Sequence, residues 1–324
     1  MKPKNILSPL LAATLFALLF VVAPRAAARR AAAQTPTVYI GAWNIQWLGS
    51  PSQRPSYATG VAQSAADLAD YIKRSKVDVL GLEEITDDDG AAGTRTNKTL
   101  TAAFDLIRQD TGQQWNHFLF PKPGTDQTQL VGLAWNRGKV NGDPQVFPIA
   151  LDLPPGAGEV WRRWPYAVKL SFGNGKTDVV VIVVHMKSNR TGDGCDADCV
   201  RCARASEAFL LAAELDEISQ KFQDADIVIL GDTNVLSRNE PAVRTLTGAG
   251  LRDLNSQDNA TFYDGAPFDR IFVTGGQPEF NTSSMGVYDN AYLTARGITK
   301  EQFWRRYSDH FMVVTGVSVM NDDD

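Results

Sequence analysis

Six short clusters in this 324-residue chain carry side chains that can hold a cation, move a proton or grip an anion. They are Asn44, the pair Glu83-Glu84, His185, the run Gly231-Asp232-Thr233-Asn234, the pair Asp269-Arg270, and Ser308-Asp309-His310. Carboxylate and amide oxygens suit hard divalent ions, and a carboxylate or imidazole can take or give a proton near neutral pH. Each cluster stands at the end of an apolar run: Val38 to Trp43, Val77 to Leu82, Val179 to Val184, Ile227 to Leu230, Phe268, and the run that begins at Phe311. Taken singly, an Asn or Asp after a strand is a turn residue and a Glu-Glu pair is a solvated edge. A core-facing strand has no structural need for such groups at its end, where burying them unpaired is costly. Their recurrence calls for another cause. Two of the three histidines, His185 and His310, fall in these clusters, and His117 reads as a surface or core-edge residue.

The elements that must position these groups follow from periodicity. The runs Val38 to Ile45, Val77 to Leu82, Val179 to Val184 and Ile227 to Leu230 predict buried strands, with shorter ones at Leu130 to Trp135, Tyr166 to Phe172, Phe268 to Val273 and Phe311 to Val319. Val61, Ala65, Leu68 and Ile72 fall at helical spacing, as do Leu100, Phe104 and Ile107. The longest helix is predicted from about Asp198 to Phe222, with Ala208, Leu211, Leu215, Ile218 and Phe222 on one stripe. The stretches Asp87 to Thr94 and Leu153 to Gly158 read as loops. With no repeat and no dividing linker, one α/β domain over residues 34–324 is the simplest organisation.

Residues 1–33 are set apart. Lys2 and Lys4 precede an apolar run, Leu10 to Ala23, followed by small residues ending at Ala31-Ala32-Ala33. That pattern is a secretory signal peptide, which places the mature protein in the periplasm or outside the cell; an uncleaved anchor is the alternative. The full chain has 32 Lys and Arg against 37 Asp and Glu. Without Lys2, Lys4, Arg25, Arg29 and Arg30 the balance is 27 to 37, a formal charge of -10. Such a body cannot hold a polyanion by bulk attraction and must grip phosphate locally or through metal ions. At 44% hydrophobic and 21% charged residues, the composition is globular and excludes a disordered chain, a collagen or a polytopic membrane protein. Cys195, Cys199 and Cys202 allow one intrachain disulfide with one thiol left over, the reading that fits an exported protein better than a zinc site.

Trp43-Asn44-Ile45, Leu82-Glu83-Glu84-Ile85, Val184-His185-Met186, Gly231-Asp232-Thr233-Asn234, Phe268-Asp269-Arg270-Ile271 and Ser308-Asp309-His310 together resemble, in order, the signatures of the endonuclease/exonuclease/phosphatase superfamily. That superfamily includes secreted deoxyribonucleases, apurinic endonucleases, bacterial sphingomyelinases and inositol phosphatases. The resemblance spans residues 38–319 and implies an α/β (α+β) fold: a four-layer αββα sandwich of two mixed β-sheets flanked by helices. It implies Glu84 as the main ligand of a Mg2+ ion, with Mn2+ or Ca2+ as alternatives, supported by Asn44 and Asp309. Glu83 stands where the family usually has glutamine. Asp232 and Asn234, two apart in an extended segment, would position and deprotonate the attacking water. Asp269 would orient His310 and favour its charged form, and His185 would protonate the leaving oxygen. Arg163, in Arg163-Trp164-Pro165-Tyr166, would give a forked donor to a non-bridging phosphate oxygen. Arg204 reads either as a second cation or as a stem laid over the core. No acidic partner for His185 is evident.

The sequence thus points to an exported, divalent-metal-dependent phosphodiesterase, monomeric and without a stable protein partner, acting on nucleic acid. Two alternatives stand beside it. A sphingomyelinase-type enzyme acting on a lipid headgroup would need exposed rings, for which Tyr288, Tyr292, Phe303 and Trp304 are candidates. A catalytically inactive binding module has no use for the full set of acid, base and ligand residues. Basic residues beside the motifs (Arg162 and Arg163, Lys187 and Arg190, Arg201 and Arg204, Arg305 and Arg306) suggest a local phosphate track.

Overall fold

The run of β-branched residues before His185 is buried on both faces, and this organises the molecule. Val179, Val181 and Val183 point into a core shared with Val38, Ile40, Ala42, Val79, Val228 and Ile271. Val180, Ile182 and Val184 point the other way, onto Ala208, Leu211, Leu215 and Ile218 of the long helix. A strand of period two whose two faces are both apolar must lie between two layers. A third core, of Trp43, Ile45, Leu80 and Leu82 under Leu68, Ile72, Leu100, Phe104 and Ile107, completes four layers.

The computed structural model describes residues 35–88, 95–122, 128–149, 160–192 and 194–322. The proposed leader, all but two residues of the 87–94 loop and the 153–158 loop lie outside the described residues. In chain order the elements are β1 (Thr37–Leu48), α1 (Ala65–Ser75), β2 (Val79–Ile85), α2 (Lys98–Thr111), β3 (Trp115–Leu119), β4 (Leu130–Asn136), β5 (Gln145–Pro148), β6 (Tyr166–Ser171) and β7 (Asp178–His185). Then follow α3 (Ala197–Phe222), β8 (Ile227–Asp232), α4 (Pro241–Gly248), β9 (Leu251–Asp253), β10 (Asp269–Thr274), β11 (Gly286–Val287), α5 (Asn290–Arg296), α6 (Lys300–Arg306) and β12 (Val313–Ser318). They build two six-stranded sheets, ordered β11-β12-β1-β2-β4-β3 and β5-β6-β7-β8-β10-β9. Each is mixed: β1–β2 and β7–β8 are parallel, and the other pairings antiparallel. The four-layer αββα sandwich implied by the motifs is the fold observed.

The sheets approach closely where Gly81 of β2 faces β8, since a Cβ there would stand 2.5 Å from Leu230 Cδ1. Helices α1, α2 and α3 begin at side-chain caps: Ser64 accepts from Asp67 N, Asn97 from Leu100 N and Asp196 from Cys199 N. No helix among the described residues is long and apolar enough to cross a membrane. Cys195 and Cys199 form the disulfide and Cys202 is the exposed free thiol.

Candidate active site

Strand direction alone collects the six clusters. In the parallel pair β1–β2, Asn44 is level with Glu83, and in β7–β8 His185 is level with Asp232, so four motifs leave the carboxyl ends of their strands together. Antiparallel β10 begins opposite them, with Asp269 level with Asp232. Antiparallel β12 likewise starts beside the end of β1, so the preceding Ser308-Asp309-His310 returns to the same place. Both sheets contribute three motifs. The register of β1 and β2 breaks after Asn44 and after Leu82, and such irregularities re-aim side chains at strand ends. Gln46, Trp47, Glu84 and Asn234 all carry positive φ, between 46° and 58°, in a region that residues other than glycine seldom occupy. Their concentration at one place is the pattern of strain held for function.

Asp232 is the hub. Its Oδ1 accepts the Asn234 amide at 2.8 Å, while Oδ2 accepts from Asn44 Nδ2 at 3.1 Å. The same Oδ2 lies 3.5 Å from His185 Nε2 and 3.7 Å from His310 Nε2. Asn44 Nδ2 also reaches Glu84 Oε1 at 3.1 Å, and Glu84 Oε2 accepts the Trp47 amide at 3.2 Å. His185 Nε2 is 3.7 Å from Glu84 Oε1. On the other side His310 Nδ1 lies 2.9 Å from Asp269 Oδ2, and Asp309 Oδ2 accepts the Tyr57 hydroxyl at 3.0 Å. Gly231 carries φ 137°, and a Cβ there would stand 2.1 Å from the Val184 carbonyl oxygen, so only glycine lets β8 close on β7 here.

These groups are buried, and burial sets their charges. It raises Glu84, helped by the charge of Asp309, and raises Asp232 to about 7. Burial, with Arg163 and His310 nearby, lowers His185 well below its ordinary value and keeps it neutral. Burial would lower His310 too, but the carboxylates of Asp269 and Asp232 outweigh it and hold the ring protonated. The oxygens of Glu84 and Asp232 and a nitrogen of His185 all lie within 4.8 Å of one another. Two carboxylates forced together beside a neutral imidazole are the donor set of a divalent cation, whose charge would relieve their repulsion.

The sequence-predicted residues are therefore brought together, with several differences of detail. Asn44 turns its amide nitrogen to the carboxylates while its oxygen accepts the Gln46 amide at 2.9 Å, and Asp309 faces Tyr57, so the compact group that could hold a cation is Glu84, His185 and Asp232. The segment after Asp232 turns instead of extending: Asn234 is left-handed and its Nδ2 donates to the Met186 carbonyl at 3.2 Å. Arg163 is buried, with Nε on the His185 carbonyl at 3.1 Å and Nη2 on that of Met186 at 2.6 Å. Two of its donors fasten the chain behind His185, which corrects the open fork facing substrate. Nor is Arg204 a second cation or a stem reaching solvent. It is wholly buried, gives Nη2 to Glu240 at 2.8 Å and Nη1 to Asn189 at 3.0 Å, and Asn189 in turn holds the Asn234 carbonyl at 2.7 Å. The phosphate track shrinks accordingly. Arg201 pairs with Asp198 and Arg306 with Asp67, while Lys187 Nζ is held by the carbonyls of Ser188 and Arg190; Arg162, Arg190 and Arg305 stay exposed.

Glu207, Glu240, Asn189 and Tyr57 were not singled out from sequence. Arg204 and Glu207 lie on the stripe that continues through Leu211, Leu215 and Ile218, and charges on an apolar stripe were the signal available. Glu207 Oε2 accepts the Lys187 amide at 2.8 Å, and burial raises its pKa to about 7.

Comparison with known proteins agrees with this arrangement. The fold matches an endonuclease/exonuclease/phosphatase from Bacteroides vulgatus at 16% identity, covering 88% of this chain and 100% of that one, with a TM-score of 0.55. It matches the human Nocturnin catalytic domain with bound sulfate anion at 15% identity, covering 88% and 94%, with a TM-score of 0.55. An endonuclease/exonuclease/phosphatase from Beutenbergia cavernae matches at 17% identity, covering 87% of this chain and 71% of that one, with a TM-score of 0.55. No curated protein matches the sequence. The model of the Endonuclease/Exonuclease/phosphatase family matches residues 41–310, from the first motif through the last, and the chain belongs to that family.

Proposed function

We propose that this protein is an exported, divalent-metal-dependent phosphodiesterase that hydrolyses nucleic acid. The observation that carries the reading is the ligand trio Glu84, His185 and Asp232 placed beside the charged His310–Asp269 pair. As water attacks a phosphate ester, negative charge builds on its non-bridging and leaving oxygens, and the two halves of this site supply what that requires. Glu84, His185 and Asp232 would hold the cation, which when bound withdraws charge from the phosphoryl oxygens. Asp232, fixed through Oδ1 by the Asn234 amide, would orient the attacking water and, ionised, accept its proton. Charged His310, oriented by Asp269, holds a phosphate oxygen and carries the exchangeable proton of the site, the part first expected of His185. Neutral His185 serves as the nitrogen donor of the trio. The bound sulfate of the Nocturnin domain shows that relative holding a tetrahedral oxyanion, the shape of the phosphate proposed here.

The lipid reading is less favoured, since Tyr292 and Phe303 are fully buried and Tyr288 and Trp304 are half-buried against the same core. Incubating the mature protein with plasmid DNA, RNA and sphingomyelin, with magnesium and with chelator, tests the proposal. Magnesium-dependent cleavage of DNA or RNA is expected. Release of phosphocholine with both nucleic acids untouched would overturn it.

A further inference from the structure

Beside the catalytic groups lies a set of rings that the chemistry above does not use. Phe262 packs on the His310 ring with centroids 4.7 Å apart and planes at 61°. Tyr263, next in the chain, lies 4.6 Å from Trp304 and 5.8 Å from Tyr57. Tyr57 closes the row at the site itself, donating its hydroxyl to Asp309 Oδ2 at 3.0 Å and accepting from Gln46 Nε2 at 2.8 Å. The four rings come from three separate places: the segment after β1, the segment before β10, and α6. All four are half-buried, so each is held by its neighbours while part of its surface meets solvent.

The charges near the site point the same way. Arg201, Arg204 and Arg306 are spent on Asp198, Glu240 and Asp67, and the body is acidic. Of the basic residues beside the motifs, Arg162, Arg190 and Arg305 stay exposed, few for the phosphates of a long duplex, whose binding depends on many cations. A single strand needs fewer, because its unstacked bases can lie on aromatic faces and take part of the binding from there. Resting on the phosphodiesterase reading, we propose that Tyr57, Phe262, Tyr263 and Trp304 form a ledge on which one base of a single-stranded nucleic acid stacks next to the scissile phosphate. A membrane surface fits the ledge less well, because its rings pack against one another and Tyr57 is hydrogen-bonded to Asp309, instead of standing clear of the body.

The test uses magnesium and three substrates of one length: a single strand, the same strand with abasic spacers flanking one phosphate, and the duplex. Cleavage at that phosphate should favour the base-bearing strand over the spacer strand by about tenfold or more in kcat/KM, with most of the difference in KM. The duplex should be cut more slowly than the single strand. Tyr263→Leu should shrink the base-to-spacer ratio to about twofold, and Tyr263→Phe, which keeps the ring, should restore it. Tyr57→Leu provides the same comparison if Tyr263→Leu does not fold. Equal cleavage of base and spacer strands by the wild type would overturn the ledge, as would a folded Tyr263→Leu that keeps the full ratio. Sphingomyelin vesicle binding lost in Tyr263→Leu while the strand ratio stayed intact would assign the rings to lipid instead. No cleavage of any strand, with sphingomyelin or another phosphate ester hydrolysed, would sink the nucleic-acid reading first and the ledge with it.

Discussion

Glu83→Gln should stabilise the protein at neutral pH and leave most of its activity, whereas Glu84→Gln, one residue on, should remove the activity. Glu83 is fully buried; its Oε2 accepts the Asp232 amide at 2.7 Å, and its Oε1 has no hydrogen-bond partner among the described residues. Burial, then the charges of Asp232 and Asp269, hold its pKa well above the ordinary 4.5. In the unfolded chain the carboxyl ionises near that ordinary value, while in the fold it holds its proton to higher pH. Its stabilising contribution is thus complete below 4.5 and is lost as pH rises toward the folded value. The loss is about 1.4 kcal/mol for each pH unit between the unfolded and the folded value. Glutamine keeps an oxygen for the Asp232 amide and has no proton to lose, at a cost of about 1 kcal/mol for its extra buried N–H donors. The stability of Glu83→Gln relative to wild type should therefore rise between pH 5 and pH 7, read by urea denaturation of the chelated protein at both values. A gain independent of pH would refute a protonated Glu83. In assays with magnesium, Glu83→Gln should stay within several-fold of wild type and Glu84→Gln should fall at least about 100-fold. Equal losses, or the reverse order, would show that Glu84 is not the principal ligand.

Replacing Asp232 with Asn, or His185 or His310 with Ala, should lower kcat at least about 100-fold without changing the near-ultraviolet circular dichroism; a wild-type rate in His310→Ala would remove the Asp269–His310 pair from the mechanism. Chelation should abolish activity, and magnesium should raise Tm more at pH 8 than at pH 5, because the raised Glu84 and Asp232 must shed protons before they bind a cation. Arg204→Met leaves the Glu240 carboxylate buried without its partner and should cost about 3 kcal/mol in urea denaturation, with kcat also reduced through Asn189 and Asn234. Intact-mass measurement of exported protein should find the chain beginning near Gln34, and recovery with Met1 retained in the membrane fraction would contradict cleavage of the leader.

The legible part of the sequence was whatever repeats at short range. Period-two and period-3.6 burial exposed β1, β2, β7, β8 and α3, because a layer buried on both faces leaves no polar position in its strand, and the polar residues at its end then stand out. Short and edge elements were not legible. β5, β9 and β11 have only two to four residues each, and α5 and α6 seven, too few for a period, and tertiary contacts hold them. The motif residues could be listed from sequence, while their division of labour could not. The resemblance already implied Asp269 beside a charged His310, and the fold brings them to 2.9 Å, but the neutrality of His185 was decided only by its burial with Arg163 and His310 nearby. Arg163 read as a donor to phosphate, and Arg204 as either a second cation or a stem over the core, because a sequence shows a charge but not its partner. Folding placed the carbonyls of His185 and Met186 on one and Glu240 on the other, since a buried guanidinium must find acceptors for its donors, and those acceptors come from distant segments.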